Sequence, residues 1–239
     1  KGYLNPVKKR KNLKIIVNAH VQKLNFNNKS VESVSFFTGD KLNHAKANKE
    51  VILSAGAIGS PHLLQISGIG DSEKIKNQGI DIVHELKGVG KNLQDHLMFR
   101  PVYKLKNIKS LNRDVESLYS KFLMGLQYIL KQSGPITMGA SQVCAFTKSD
   151  PSRATPNLQF HVQPLSTDIL GVTPMHNFEG ITPTVANIRP TSRGEINITS
   201  NDSRDNPKIK MNYLSTEDDR IVAAKSLKLV RKIMLETET

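Results

Sequence analysis

Gly56-Ala57-Ile58-Gly59-Ser60-Pro61-His62-Leu63-Leu64-Gln65-Ile66-Ser67-Gly68-Ile69-Gly70 is the stretch on which the reading of this chain turns. The apolar run Val51-Ile52-Leu53 precedes it and has the character of a strand buried in a sheet. Ser54, Ala55, Gly56 and Ala57 follow, all small, so a ligand or a second backbone can come close. Ser60 suits a helix N-cap and Pro61 the first turn. Leu63, Leu64 and Ile66 continue an apolar face, and Gly68-Ile69-Gly70 ends the helix. A helix start after small residues favours a negative group such as a pyrophosphate. Tight packing of helix on strand would require the same small residues, so the segment by itself leaves both readings open.

Outward from this segment the chain reads as short strands, then helices and strands in mixture. Residues 13–17, 21–26 and 31–37 have strand composition, with a turn at Asn27-Asn28-Lys29 and a polar loop or hairpin tip over 38–50. Asp71 and Ser72 can cap a short helix that Gly79 ends, residues 80–86 look extended, and residues 88–96 are turn-rich and polar. Residues 115–131 place Val115, Leu118, Tyr119, Phe122, Leu123, Leu126, Ile129 and Leu130 at helical spacing, and Gly134-Pro135 stops the helix. Residues 157–164 alternate, with Leu158, Phe160 and Val162 on one face and Gln159, His161 and Gln163 on the other. Residues 184–189 and 194–199 flank a Pro190-to-Gly194 turn and read as a hairpin. Ser215 or Thr216 caps a final helix over 217–235, with Ala223, Leu227, Val230 and Met234 expected inside and Lys225, Lys228, Arg231 and Lys232 outside.

Composition narrows the function classes. A length of 239 residues with 38% hydrophobic content supports a real core in one large or two modest domains. No apolar stretch approaches the roughly 18 residues of a membrane-spanning helix. The first residues lack a signal-peptide core, and both ends read as cuts, Lys1-Gly2-Tyr3 without an initiator Met and Leu235 to Thr239 directly after a helical pattern. Cys144 is the single cysteine, which excludes an internal disulfide and cysteine-type metal sites; no metal is expected. The net charge of +13 invites an anionic partner, but the lysines are scattered and aromatics are 5% with no Trp, so nucleic acid is not expected. The triplets Gly68-Ile69-Gly70 and Gly88-Val89-Gly90 lack the third glycine and the strand–helix setting of a dinucleotide fingerprint and read as turns.

The fifteen residues quoted first resemble, position by position, the second signature of the glucose–methanol–choline (GMC) oxidoreductase family: small residues, Ser-Pro, an aliphatic pair and Ser-Gly-aliphatic-Gly. Tyr3-Leu4-Asn5-Pro6, Gly88-Val89-Gly90-Lys91-Asn92-Leu93-Gln94-Asp95-His96, Arg189-Pro190-Thr191-Ser192-Arg193-Gly194, Asn206-Pro207 and Asn212-Tyr213-Leu214 resemble its flanking segments, so the likeness covers nearly the whole chain. Its flavour is that of the choline-dehydrogenase-like and alcohol-dehydrogenase-like branch.

The resemblance implies an internal piece of an FAD-dependent alcohol oxidoreductase. The fold it implies is part of an α/β FAD-binding domain, about 1–100, and a truncated α+β substrate domain with an antiparallel sheet over 101–239, its C-terminal region beginning near 189. The sheet would floor the flavin ring. Val21 falls where the family holds the adenine by main-chain N–H and C=O. Ser54, Ala55 and Gly56 fall where the backbone passes the ADP part of FAD. Residues 92–96 lie near the family's FAD lid and domain junction, in a mostly structural role. His161, with Gln159 and Gln163, falls in the strand that faces the alcohol, where its ring would donate to the substrate oxygen; a histidine bonded within the sheet is the plain alternative. His20, His44, His62, His84 and His176 read as surface or incidental. The catalytic base, in a His-x-x-Gly-Thr segment, is expected downstream and a Gly-x-Gly-x-x-Gly motif upstream, so no catalytic residue is named in the chain, and the piece alone is expected to retain FAD poorly and to be inactive. The implied partners are a small alcohol, choline-like or another primary alcohol, and a quinone or other electron acceptor; the implied location is the cytoplasm or the periphery of the inner membrane. Two rivals stay open: a GMC-fold lyase that keeps FAD structurally, and a non-enzymatic basic binding module.

Overall fold

The computed structural model describes residues 2–139, 141–169 and 171–236. Lys1 and residues 237–239, at the two ends read above as cuts, lie outside the described residues. In chain order the elements are α1 (Leu4–Val7), β1 (Ala19–Asn27), β2 (Ser30–Thr38), β3 (Lys41–Lys46), α2 (Gly56–Ile66), β4 (Ile69–Gly70), α3 (Ser72–Lys76), β5 (His84–Glu85), β6 (Met98–Phe99), β7 (Tyr103–Lys104), α4 (Leu111–Glu116), α5 (Leu118–Lys131), β8 (Val143–Thr147), β9 (Leu158–Gln163), β10 (Gly180–Asn187), β11 (Glu195–Asn197), β12 (Lys208–Lys210) and α6 (Glu217–Glu236). They form two compact units. The first is Lys1–Leu93 with Arg193–Asn212, the second Gln94–Ser192 with Tyr213–Thr239. Where the sequence suggested one boundary near residue 100, the chain crosses between units three times.

In the first unit β1, β2 and β3 form an antiparallel sheet in that order, and α2 packs against β1. The β1–β2 turn carries Asn28 at φ 53, the left-handed conformation that a two-residue hairpin asks of asparagine. Ile66, Ile75 and Ile198 make a small core, with Ile80 and Ile82 against it. The buried carboxamide of Gln65 behaves like a strand of its own: Nε2 donates to Ile196 O and Oε1 accepts from Ile198 N–H, both at 2.9 Å. Three expectations fail here. Residues 13–17 and 51–53 lie outside any strand, and Ile52 is 78% exposed, because no described segment runs alongside to take their backbone hydrogen bonds. The helix after the small residues begins at Gly56, so Pro61 sits inside it rather than in its first turn. Its missing N–H forfeits one bond, to the carbonyl of Ala57, while burial of Leu63 and Ile66 holds the helix on its sheet. Ser60, expected as the cap, likewise lies inside the helix, whose cap position is Ala55; its Oγ accepts the Ala55 N–H at 3.1 Å.

The second unit is built on the sheet β6-β10-β9-β8, with β7 also on β10. Leu158, Phe160 and Val185 form its core with Val222 and Val230 of α6. The predicted hairpin over 184–199 does not form: β10 pairs with β9 on one edge and with β6 and β7 on the other, and β11 pairs with β12. The buried face of α6 is rotated from the predicted one, running through Val222, Ala223, Ser226 and Val230 while Leu227 is 40% exposed. The helix predicted over 115–131 exists as α5, but Ser117 breaks it from α4 and caps it by accepting from Ser120 N–H. Its apolar stripe faces outward, as Leu118, Phe122 and Ile129 show.

Two buried polar centres tie this unit together. Asn112 donates to the main-chain carbonyls of Ser166, His176 and Phe178, and accepts from Ser166 N–H at 2.8 Å. Asp219, in the first turn of α6, accepts from Thr191 N–H, Ser192 N–H and Asn187 Nδ2 at 2.8–3.2 Å. Burial works to raise its pKa, but the hydrogen bonds from Ser192 and Thr191 outweigh it and hold the carboxyl below its ordinary value. A carboxyl lowered on folding stabilises fully above the ordinary carboxylate range, and that stability is lost as pH falls through the folded value. Asp219→Ala should therefore cost the second unit ~2–4 kcal/mol in a neutral urea titration, since several buried donors lose their acceptor together. The difference from wild type should shrink in acid. A neutral-pH loss below ~0.5 kcal/mol would contradict this account.

Candidate functional site

The edge of β1 is best read from its hydrogen-bond parity. Two-residue hairpins close on a hydrogen-bonded pair, and bonded and open pairs then alternate along the ladder. Asn27↔Ser30 closes the first turn. Along the register, Asn25↔Ser33 and Lys23↔Ser35 are then bonded, and Leu24↔Val34 and Val21↔Phe36 are open, with bulges absorbing Glu32 and Gln22. The count from the other turn agrees. Thr38↔Lys41 closes it, so Phe36↔Asn43 and Val34↔Ala45 are bonded to β3 and cannot face β1. A third check is direct: Leu24 N–H points away from β2, donating to Ser67 Oγ at 2.9 Å. Val21, in the same class of pair, thus turns its N–H and C=O off the open edge of the sheet. The residue is 37% exposed.

α2 starts at the bend formed by Ser54, Ala55 and Gly56, and all three are exposed. Gly56 has φ +83, where a side chain would be strained, and an added Cβ would meet nothing within 4 Å. Backbone conformation, not packing within this unit, calls for glycine there. His62 in α2 is held below the ordinary imidazole value by partial burial and then by the charge of His20, at the start of β1. His20 is no bystander: Nε2 lies 3.1 Å from Ser203 O and 3.0 Å from Ser203 Oγ. His44 and His176 also have partners, in Ser35 for the first and in Ser166 and Asp168 for the second. A groove of about 630 Å³ runs farther along β1, lined by Gln22, Leu24, Ile66, Ser67, Asp81 and Asn201. It includes neither Val21 nor the bend.

The turn over 88–93 is a lock. Gly90 has φ +79, and a Cβ on it would fall 2.2 Å from Ile196 O and 2.4 Å from Gln65 Nε2. Leu93 and Gly194 exchange both main-chain hydrogen bonds, at 3.1 and 2.8 Å. Glu195 pairs with Lys91 and, at 3.4 Å, with Lys74; the hydrogen bond from Lys91 is the main reason its carboxyl is held down at about 2. In the second unit Tyr213 Oη donates to Asp95 Oδ2 at 2.5 Å, which pushes the phenol up to about 12.

The sheet of the second unit has one greasy and one polar face. Gln159, His161 and Gln163 stand on the polar face, opposite Ala186, Thr184 and Thr182 of β10. Gln163 accepts from Arg100 Nη2 at 3.2 Å and donates to Ser141 Oγ, and Gln159 Nε2 lies 3.6 Å from Cys144 Sγ. The ring of His161 makes no hydrogen bond among the described residues. Sequence reasoning missed Arg100 and Thr184, which share this face. The alternation of Met98, Arg100, Val102 and Lys104 was the available signal, broken by Pro101.

With this geometry in hand, comparison with known proteins is decisive. The GMC oxidoreductase N-terminal pattern matches residues 1–98 and the C-terminal pattern residues 190–238. The chain belongs to the GMC oxidoreductase family. It is similar to the oxygen-dependent choline dehydrogenase of Staphylococcus xylosus, 38% identical over 98% of this chain and 41% of that protein. The corresponding enzyme of Pectobacterium atrosepticum is 34% identical over 99% of this chain and 42% of that one. The chain thus spans about two fifths of the length of these relatives. A formate oxidase variant from Aspergillus oryzae RIB40, studied for its FAD modification, superposes with TM-score 0.87 at 22% identity, over 97% of this chain and 45% of that one, and shares the fold. The GMC fold accounts for the expected partial α/β domain joined to an antiparallel α+β domain. Among the described residues no cluster could hold a metal ion, and no helix is long and apolar enough to cross a membrane.

Tyr213 gives a direct test of the Asp95 contact. A phenol whose pKa rises on folding stabilises fully below its unfolded value and loses that contribution as pH climbs through about 12. Tyr213→Phe should cost ~0.5–1 kcal/mol at neutral pH, discounted for the partly exposed setting. Phenolate absorbance should show that a tyrosine ionising at about 12 is lost in the variant. A variant that titrates like wild type would refute the contact.

Proposed function

We propose that this chain is the central part of an FAD-dependent oxidoreductase that oxidises the CH–OH group of a small alcohol. The observation that carries the reading is the main chain of Val21, turned off the open edge of β1. An extended N–H and C=O pair so placed matches the donor–acceptor edge of an adenine. The bend at Ser54, Ala55 and Gly56 fits the same ligand, because its exposed backbone, positive φ and unfilled Cβ position leave room for a close-lying pyrophosphate at a helix start. These residues fit FAD, and Val21, Ser54, Ala55 and Gly56 are assigned to it.

Bound FAD supplies the two-electron acceptor for the hydride on the alcohol carbon. The polar sheet face holds the alcohol. His161 donates a hydrogen bond to its oxygen, which steadies the charge that grows there as the hydroxyl proton departs to a base outside this chain. Gln159 and Gln163 flank it and orient the substrate. The product is the aldehyde or ketone, and the electrons pass on to an external acceptor, oxygen or a quinone. Turnover of the full-length enzyme under air and under argon with a soluble quinone distinguishes the two.

Because the Val21 N–H faces away from β2, proline there removes no ladder hydrogen bond and is tolerated on an edge strand. In the full-length enzyme Val21→Pro should weaken FAD binding ~10-fold or more, the equivalent of one hydrogen bond, while Val21→Ala leaves it within ~3-fold. Equal retention of flavin in both variants, measured by absorbance per chain after gel filtration, would refute the adenine assignment.

A further inference from the structure

The polar face of the second unit's sheet carries a feature that oxidation of an alcohol does not explain. On β10, Phe99↔Val185 and Tyr103↔Ile181 belong to ladders of one register. Residues 98–104 therefore run as one interrupted strand, with Arg100 opposite Thr184 and Lys104 opposite Gly180. Side chains alternate across a sheet, so Met98, Arg100, Val102 and Lys104 share the face of Thr184, His161, Gln159 and Gln163. Cys144 lies opposite His161 and Phe146 opposite Gln159 on the far strand. Among the described residues of these strands, this face carries Arg100 and, at its far end over the Phe178 ring, Lys104, and no carboxylate.

Arg100 is half-buried, and its one hydrogen bond among the described residues goes to the neutral Oε1 of Gln163. No described carboxylate forms an ion pair with it. The nearest acid in sequence to β10, Glu179, is committed elsewhere, accepting Ser110 N–H at 2.6 Å and Ser110 O–H at 2.7 Å. Thr184, directly opposite Arg100, is 3% exposed, and its Oγ1 has no hydrogen-bond partner among the described residues. Natural proteins seldom leave either condition in place: a guanidinium paired only with a neutral group, beside a buried hydroxyl with none. An acceptor-rich anion would satisfy both, since a planar guanidinium takes a carboxylate through two parallel hydrogen bonds.

We infer that Arg100 is a specificity-determining residue and that the alcohol bound on this face carries a carboxylate rather than a quaternary ammonium. Arg100 takes the carboxylate, Thr184 Oγ completes its coordination, and His161 remains for the hydroxyl oxygen. A cationic alcohol such as choline would meet the half-buried Arg100 with like charge, where repulsion is poorly screened. The choline dehydrogenase relatives are thus a guide to the fold and the cofactor of this chain, and not to its substrate.

The inference rests on the alcohol-oxidoreductase reading, and one set of assays on the full-length flavoenzyme separates the two. Wild type is assayed by dye reduction with matched alcohols that carry a carboxylate, no charge or a trimethylammonium group. The carboxylate series should win in kcat/KM. Arg100→Gln should raise KM for that series ~10- to 100-fold, as expected for loss of a charged hydrogen bond, and by clearly more than for the neutral series, which loses only the Arg100 contact to Gln163. Without any variant, acetate or propionate should inhibit wild type competitively, and tetramethylammonium should not. Preference for the trimethylammonium alcohol, inhibition by tetramethylammonium alone, or an equal loss on all three series in Arg100→Gln would overturn the assignment of Arg100 and leave the alcohol oxidoreductase intact. Flavin-loaded enzyme that oxidises none of the three would overturn the reading beneath it.

Discussion

Everything assigned to the first unit depends on which way the main chain of β1 faces. A peptide group in a sheet has one hydrogen bond to give and one to receive, and the neighbouring strand claims them at every second residue. The two tight turns fix that alternation from both ends, and the bulges at Gln22 and Glu32 shift it without breaking it. At Leu24 the outward N–H is taken by Ser67, the residue that closes α2. At Val21 the outward pair faces the open edge. One strand thereby anchors a helix with one residue and presents an open main-chain edge at another, the edge to which we assign the adenine. That proposed contact is held in backbone geometry, so side-chain substitutions at Val21 matter less than anything that moves the bulge.

The segment from Gly88 to Leu93 does comparable service for the unit's second layer. Gly90 must be glycine twice over, by its positive φ and by the closeness of Ile196 O and Gln65 Nε2. Gln65 in turn supplies both partners that the strand at residues 196–198 lacks on that side. Removing the carboxamide would strand a buried donor and a buried acceptor together, a costlier loss than one exposed hydrogen bond. Gly90, in a triplet whose sequence reads as a turn, thus belongs to a set of contacts that locate α2, and α2 in turn locates the bend at Gly56.

What could be read from sequence was local. The cap at Asp71, the period of residues 115–131 and the alternation of residues 157–164 each encode an element by themselves, and the elements stand, the latter two trimmed to 118–131 and 158–163. Failures came where a neighbour decides. Residues 51–53 have strand composition but no described partner, and residues 184–199 look like a hairpin only until β9, β6 and β7 have filled both edges of β10. Pro61 inside α2 is the same lesson on a helix, where burial of the far end outweighs one lost hydrogen bond. Of the site, the family resemblance pointed to Val21 and to residues 54–56, but the parity that turns Val21 outward needs the register. Arg100 escaped because its strand is interrupted by Pro101, and the meaning of Thr184 is a missing hydrogen bond, which no sequence displays.

The most direct test of the account is amide hydrogen exchange at residue 21 in the full-length protein, with and without FAD. The Val21 amide should exchange fast in the apoprotein, as an open-edge N–H does, and slow by at least ~10-fold when the flavin is bound, with Lys23 and Asn25 protected in both states. A Val21 amide already protected without flavin, or one that stays fast when the protein is saturated, would show that this edge does not hold the cofactor.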